Sequence, residues 1–369
     1  MRVWMALMAL AMLASTASAQ ERPVRATFDN GVAGVTEGGR FDLSRLNLAA
    51  APIEAQAPSA QRPAPPAPPP PAPTRRRRGS MVGYIEDATV ESKIRVRFDT
   101  AYHDTAPDRA EFFYAKCGCY RDVPTTDPAF DPDSPGPRPG AANDVNFQQL
   151  DVWGEYAIRP GISIFGQLPV RWLQPQSFIP GTGAGFPDHS GIGDIRAGAR
   201  FAAINAEDHS LTIQGQFFLP SGDAENGMGT DHASLEPEVL YFRQLTDIVT
   251  LESQFGVWIP FGGAAGLPTN GDDKFSGSVL NYGIGSGVDL FRRPGLSLGP
   301  VVELVGWHVL GGFQTGAVAD ADGTNIVNLK IGGRVTLKDR DSIYFGYGHH
   351  LTDSTWYDDI WRFEYRRSF

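Results

Sequence analysis

His232 and Ser234 stand one residue apart in the stretch DHAS at 231–234. On an extended strand that spacing puts both side chains on one face, where a histidine base can activate a serine nucleophile for ester hydrolysis. Such a pair needs a third group to orient the base. None is evident, so a polar pair at a loop edge is the stronger reading. Cys117 and Cys119, in KCGCY, are the only two cysteines. Gly118 between them relaxes the backbone; a local disulfide is favoured, with a free or intermolecular thiol as the alternative. A metal site would need two further ligands that this stretch does not supply. The acidic stretches DPAFDPDSPG, SGDAEN, NGDDK and DADGTN lack the EF-hand pattern with its glutamate at position twelve. They read as solvated loops, and neither a metal nor a cofactor is expected.

A different set of polar residues recurs at every second position: Asp194, Arg196, Arg200, Gln214, Gln216, Glu236, Glu238, Glu252, Gln254, Lys330, Arg334, Arg362 and Glu364. Charges at period two belong to strands whose two faces meet different surroundings. In IVTLESQFGVWIPF (248–261), Val249, Leu251, Phe255, Val257 and Ile259 share one face, and Thr250, Glu252, Gln254 and Gly256 the other. The same texture recurs at 192–204 and 325–337. Twelve such segments are expected, at 92–103, 145–158, 161–173, 191–204, 209–220, 234–245, 248–261, 275–291, 295–310, 325–338, 341–350 and 356–369. Short turns (159–161, 205–209, 245–247, 292–295, 338–341) alternate with longer loops rich in Gly, Pro and Asp.

The chain opens on MRVWMALMALAMLASTASAQ, a basic residue and an apolar run ending in small residues, which reads as a signal peptide over 1–19. Residues 20–80 have no period and end in QRPAPPAPPPPAPTRRRRGS. Pro-rich sequence of this kind forms extended polyproline II and no packed core, so a disordered segment is expected there. After the leader no apolar run approaches the roughly 18 to 20 residues of a membrane helix. Segments near ten residues long, tilted, span a bilayer as strands. A soluble sandwich has shorter strands and does not alternate long and short connections in this way. The expected fold is therefore an all-β, transmembrane antiparallel β-barrel of twelve strands over 81–369. The formal net charge of −10 argues against a nucleic-acid partner.

GIGDIRAGARF (191–201) followed by FFLPSGDAENGMG (217–229) resembles the outer-membrane proteins of the meta-pathway phenol degradation family. In that family a Gly-x-Gly-Asp strand start precedes a Leu-Pro-Ser/Thr-Gly-Asp loop. The resemblance extends over 145–369. It implies an outer-membrane barrel that passes small, often aromatic or hydrophobic, molecules, and no enzyme.

An arginine or lysine on the lipid face near the midplane costs about 2 to 4 kcal/mol, so the thirteen polar residues above are expected to line the lumen. There they either select solute or neutralise one another. The expected function is a channel or transporter for small, hydrophobic or aromatic solutes. The alternatives are a structural or adhesive anchor linking surface loops to the periplasm and, last, a barrel lipase using His232 and Ser234. Expected partners are outer-membrane lipid and the solute; Arg75–Arg78 read equally as a site for an anionic envelope polymer or lipid headgroup and as a solubilising, disordered charge run. With an even strand count both termini fall on the short-turn, periplasmic side. The chain ends in WRFEYRRSF, with Trp361, Phe363, Tyr365 and Phe369 on the outward face. The terminal Phe369 resembles the signal read by the barrel-assembly machinery.

Overall fold

The computed structural model describes residues 79–105, 125–126, 142–178, 187–230, 232–261, 277–314, 319–320 and 322–369. The expected signal peptide, the Pro-rich segment to residue 78 with Arg75–Arg78, and Cys117 and Cys119 lie outside the described residues. Twelve strands form one closed antiparallel barrel: β1 Lys93–Asp104, β2 Ala142–Arg159, β3 Ile162–Phe178, β4 Arg196–Asn205, β5 His209–Phe218, β6 Ala233–Gln244, β7 Val249–Phe261, β8 Val279–Val288, β9 Leu296–Val309, β10 Asn325–Leu337, β11 Asp341–His350 and β12 Asp359–Ser368. Each strand pairs with the next. β12 closes against β1 from Lys93↔Ser368 to Tyr102↔Asp359. Closure leaves no barrel strand with an unpaired edge, which is what allows a sheet to sit in lipid. No helix among the described residues is long and apolar enough to cross a membrane.

The period-two pattern is the reason for this architecture. Along β12, Ile360, Arg362, Glu364 and Arg366 are buried, while Trp361 and Phe363 are exposed. The outer face carries Ile164, Phe201, Ile213, Val239, Phe255, Val302, Ile331 and Phe345, an apolar belt suited to lipid tails. Tight hairpins close one end of the barrel. In the turn after β10, Lys338 and Asp339 both have positive φ, 51° and 57°, as a primed hairpin turn requires. Longer connections occupy the opposite end.

One strand departs from expectation. The segment 191–204 is interrupted: His189–Ile192 is a separate short strand paired with the upper part of β3, and β4 starts only at Arg196. Gly193 donates its N–H to the Pro169 carbonyl at 2.9 Å across the break. Asp194 lies in this break rather than within a strand.

Residues 79–92 lie inside the barrel. They enter at the short-turn end, where Gly79, Ser80 and Met81 stand beside Arg292, Thr336 and Phe369. They rise as far as Tyr84, whose hydroxyl donates towards the carbonyls of Gly346 and Ile360 at 3.3 and 3.4 Å, and then return to β1. The seat is prepared by β8, where Gly283, Gly285 and Gly287 alternate inward. Side chains of Ile85, Val82 and Met81 occupy the space that side chains at those three positions would need. Glycine in a strand interior marks such close approaches. Met81, Val82 and Ile85 pack with Val301, Val305 and Tyr344 in one buried cluster.

Candidate functional site

The internal segment is held by side chains of the wall acting on its main chain. Glu303, on β9, accepts the N–H groups of Gly83, Tyr84 and Ile85 at 3.0 to 3.3 Å. Glu252 accepts that of Met81 at 2.7 Å, and Gln254 that of Glu86 at 2.6 Å. Cations on β4, β10 and β12 donate to its carbonyls. Arg334 reaches Met81 and Val82 at 2.8 and 2.5 Å, Arg362 reaches Gly83 at 2.9 Å, and Arg200 reaches Thr89 at 3.1 Å and also Asp87. Thr212 donates to the Ala88 carbonyl at 2.6 Å. A buried main chain must find a partner for each polar group. Here those partners are barrel side chains, because the segment joins no sheet.

Side-chain contacts reinforce the seat. The ring of Tyr84 lies between two cations, 4.6 Å from Lys330 Nζ and 4.3 Å from the guanidinium of Arg362. Lys330 also donates to the Tyr357 hydroxyl at 2.8 Å. Glu86 pairs with Arg95 at 2.7 Å, and Asp87 with Lys93 at 2.9 Å and Arg366 at 3.1 Å. Around this seat Glu364 gathers Arg334 at 2.8 Å, Arg366 at 2.9 Å and Arg97 at 3.2 Å, with Arg95 at 3.9 Å. Arg362 and Asp99 form a two-pronged pair at 2.7 and 2.5 Å. Such networks satisfy buried charge at a cost in desolvation and hold a defined arrangement.

Five of the thirteen residues expected in the lumen therefore touch the internal segment's main chain directly: Arg200, Glu252, Gln254, Arg334 and Arg362. Lys330 holds its aromatic tip, and Glu364 organises the arginines. Gln214, Gln216, Glu236 and Glu238 form a separate buried group on β5 and β6, linked by Gln214 to Glu238 at 2.5 Å and Gln216 to Glu236 at 3.0 Å. Arg196 is half-buried, its guanidinium 4.6 Å from the centre of the Phe218 ring. Asp194 serves the loop between β5 and β6. It accepts Gly222 N–H at 3.0 Å, and Thr230 N–H and Oγ1 at 2.8 and 2.9 Å. The pairing of the Gly-x-Gly-Asp and Ser-Gly-Asp stretches is thus a fold contact. Glu303, Thr212 and the β1 charges Lys93, Arg95, Arg97 and Asp99 complete the seat without having been singled out. The β1 residues alternate in the sequence and were open to detection. Glu303 was not, because its inward neighbours Val301 and Val305 are apolar and the strand reads apolar on both faces.

His232 and Ser234 do not make a catalytic dyad. The His232 Nδ1 faces the Thr230 carbonyl at 2.7 Å, its ring sits edge-on to Trp258, and Ser234 Oγ is buried without a hydrogen-bond partner. Among the described residues no group of three or more His, Cys, Asp or Glu side chains is placed to hold a metal ion. Beyond the tip of the internal segment, towards the long-loop end, the interior becomes apolar: Phe147, Leu173, Met228, Ile326, Trp356 and Tyr357 form one buried cluster, with Tyr84 and Trp307 against it. Phe369, exposed past the end of β12, donates its N–H to the Ser92 carbonyl at 3.0 Å.

A closed antiparallel barrel with an apolar outer belt and a charged interior defines the class of outer-membrane β-barrel proteins. Residues 140–357 match the family model described as "Putative MetA-pathway of phenol degradation", and the chain belongs to that family. Among solved structures it is similar to the COG4313 outer membrane channel from Pseudomonas putida F1, at 14% identity over 78% of this chain and 99% of that one, with a TM-score of 0.47. It is also similar to the β domain of the Bordetella autotransporter BrkA, at 14% identity over 76% and 100% of the two chains and a TM-score of 0.45. For the KdgM porin the values are 11% identity, 75% and 99%, and a TM-score of 0.35. No curated protein matches the sequence.

Proposed function

We propose that this barrel is an outer-membrane channel for small solutes of apolar or aromatic character, opened by displacement of residues 79–92, with its short turns and both termini on the periplasmic side. The observation that carries the reading is the way the internal segment is held. It shares no sheet ladder with the wall, and its main chain is bound by side chains that can exchange those bonds for water. The polar groups expected to line the lumen then have two roles: they seat the segment when it is in place, and they line a wetted path when it is displaced. The apolar, aromatic cluster at the long-loop end favours a solute that is itself apolar or aromatic, in keeping with the family's description. In this reading Phe369 is the recognition point for the barrel-assembly machinery, and Arg75–Arg78 bind an anionic envelope polymer or lipid headgroup.

The test is liposome swelling with a panel of solutes, from sugars to phenols, on the wild-type barrel and on a Glu303→Ala variant with the seat weakened. Faster solute entry in the variant, with a preference for aromatic solutes, is expected. A barrel that is osmotically silent in both forms overturns the reading. Loss of entry without a change of preference in Arg196→Ala or Arg200→Ala would restrict the claim about solute character.

A further inference from the structure

Lys330 differs from the other cations of the seat. Arg95, Arg200, Arg334 and Arg362 each have a carboxylate oxygen within 3.0 Å. Lys330, fully buried on β10, pairs with no carboxylate among the described residues. Its ammonium donates to the Tyr357 hydroxyl at 2.8 Å and lies 4.5 Å from the centre of that ring and 4.6 Å from the centre of the Tyr84 ring. Glu303 stands opposite Lys330 in the register of β9 and β10, but its oxygens are taken by the main-chain N–H groups of Gly83, Tyr84 and Ile85. Asp99 is taken by both prongs of Arg362. The wall is shaped around the ammonium, since a Cβ on Gly348 would stand 2.6 Å from Lys330 Nζ. Buried charges are ordinarily paired, and here two aromatic rings stand where a counter-charge belongs.

Of those two rings, only that of Tyr84 is carried by the internal segment. Tyr84 is half-buried, while Gly83 and Ile85 on either side of it are buried. Its hydroxyl makes two long contacts, at 3.3 and 3.4 Å, with the carbonyls of Gly346 and Ile360, and its ring lies 4.3 Å from the Arg362 guanidinium. On the long-loop side it meets the cluster that holds Phe147, Trp356 and Tyr357. The bonds that fix residues 83–85 to Glu303 run through the main chain and make no use of the Tyr84 ring. The ring's place is thus bordered by a guanidinium already neutralised by Asp99, by aromatic side chains, and by one ammonium with no counter-charge.

We infer that the place of the Tyr84 ring is a binding site for an aromatic monocarboxylate of the benzoate class, with Tyr84 as a built-in occupant that the solute displaces. The inference rests on the channel reading above and names its solute class. The solute's ring takes over the contacts with Arg362 and Tyr357, and its carboxylate supplies the counter-charge that Lys330 lacks. Lysine carries a point charge on a flexible stem, so the ammonium can turn from a ring to a carboxylate. A neutral aromatic gains the ring contacts alone, and an aliphatic acid the ion pair alone. Glu303 stays on the main chain of residues 83–85 throughout and does not compete for Lys330.

The experiment is a calorimetric titration of the full-length chain, folded in detergent at neutral pH, with sodium benzoate, and with phenol and sodium cyclohexanecarboxylate as comparisons. One saturable benzoate site is expected in Tyr84→Ala, about ten-fold or more tighter than in the wild type, where the solute must first displace the ring. Tyr84→Phe, which returns the ring, should restore the wild-type affinity. In the Tyr84→Ala background, Lys330→Met should weaken benzoate about ten-fold or more, and phenol and cyclohexanecarboxylate should both bind more weakly than benzoate. Heat-dependent migration on gels shows which variants hold a folded barrel, and Lys330→Gln serves if the methionine variant does not fold. The inference is overturned by a folded Tyr84→Ala barrel that binds no benzoate, by equal affinity in Tyr84→Ala and Tyr84→Phe, by benzoate binding unchanged in the folded lysine variant, or by phenol binding as tightly as benzoate. The readout is a binding heat. A barrel that binds benzoate in this pattern but is silent in liposome swelling fails the channel reading alone, and one that conducts but binds no benzoate fails this inference alone.

Discussion

Both oxygens of the Glu303 carboxylate accept the N–H of Tyr84, at 3.1 and 3.0 Å, although the two residues are 219 positions apart in the chain. The same carboxylate serves Gly83 and Ile85. Truncation in Glu303→Ala leaves three buried N–H groups without acceptors, at about 1 to 3 kcal/mol each. Each 1.4 kcal/mol or so is ten-fold in an equilibrium, so the seated state should lose at least ten-fold in population. Single-channel recording should show longer or more frequent openings in the variant, at unchanged strand content by circular dichroism. Unaltered current traces would count against residues 79–92 as the occluding element.

Glu364 supports the wall behind that seat. With Arg97, Arg334 and Arg366 all within 3.2 Å, Glu364→Gln removes the carboxylate they share and leaves Arg334 without its ion-pair partner. Breaking one partner of a buried pair costs about 3 to 5 kcal/mol. The unfolding temperature in detergent should fall clearly. Arg334→Met, which removes one of the cations, should partly restore it when combined with Glu364→Gln.

The barrel was legible because its rule is local. A strand in lipid must alternate, so Trp361, Phe363 and Phe255 could be placed outside, and Arg362 and Glu364 inside, from sequence alone. The strand number followed from the same rule and from the short turns. The internal segment obeys no local rule. GSMVGYIEDATVES has neither a strand nor a helix period, and most of its order comes from wall partners 111 to 279 residues away. One signal was available: the inward glycines of β8, Gly283, Gly285 and Gly287, are a groove with no evident occupant until residues 81–85 are seen in it. Asp194 was misplaced for the opposite reason. It fits the alternation of 192–204, yet the loop amides of Gly222 and Thr230 draw it out of the strand.

Asp194 should accordingly behave as a loop anchor. Its carboxylate accepts three donors from residues 222 and 230, and hydrogen bonds to charged groups contribute about 1.5 to 3 kcal/mol each. In Asp194→Ala the connection at 219–232 should become open to protease, while the barrel keeps its compact migration on gels. Limited proteolysis of intact cells or proteoliposomes reads this directly. An uncut loop would argue that Asp194 is replaceable there.

Ile331 tests the outer belt. It lies near the middle of β10 and is 52% exposed, between inward Lys330 and the half-buried Gly332. Arginine at 331 should cost about 2 to 4 kcal/mol in lipid, read as a lowered folding free energy in vesicles. Arginine at Leu337, at the barrel's end, should cost about 0 to 1 kcal/mol. Equal costs at the two positions would place the membrane elsewhere on the barrel.

Acid should unseat the internal segment through Glu86. Burial pushes its carboxyl upward, but Arg95 and Arg97 beside it prevail, and the group is lowered from 4.5 to about 2. A carboxyl held below its ordinary value stabilises the arrangement that lowers it at all pH above the ordinary value, and that stabilisation fades as pH falls towards the lowered one. The seat is therefore complete above about pH 4.5 and weakens between there and about pH 2. Conductance should rise across that window and fall again on neutralisation. Glu86→Gln removes the ionisable partner, so its conductance should be higher at neutral pH and respond less to acid. A Glu86→Gln barrel with the same acid response as the wild type would assign the effect to other carboxylates of the interior.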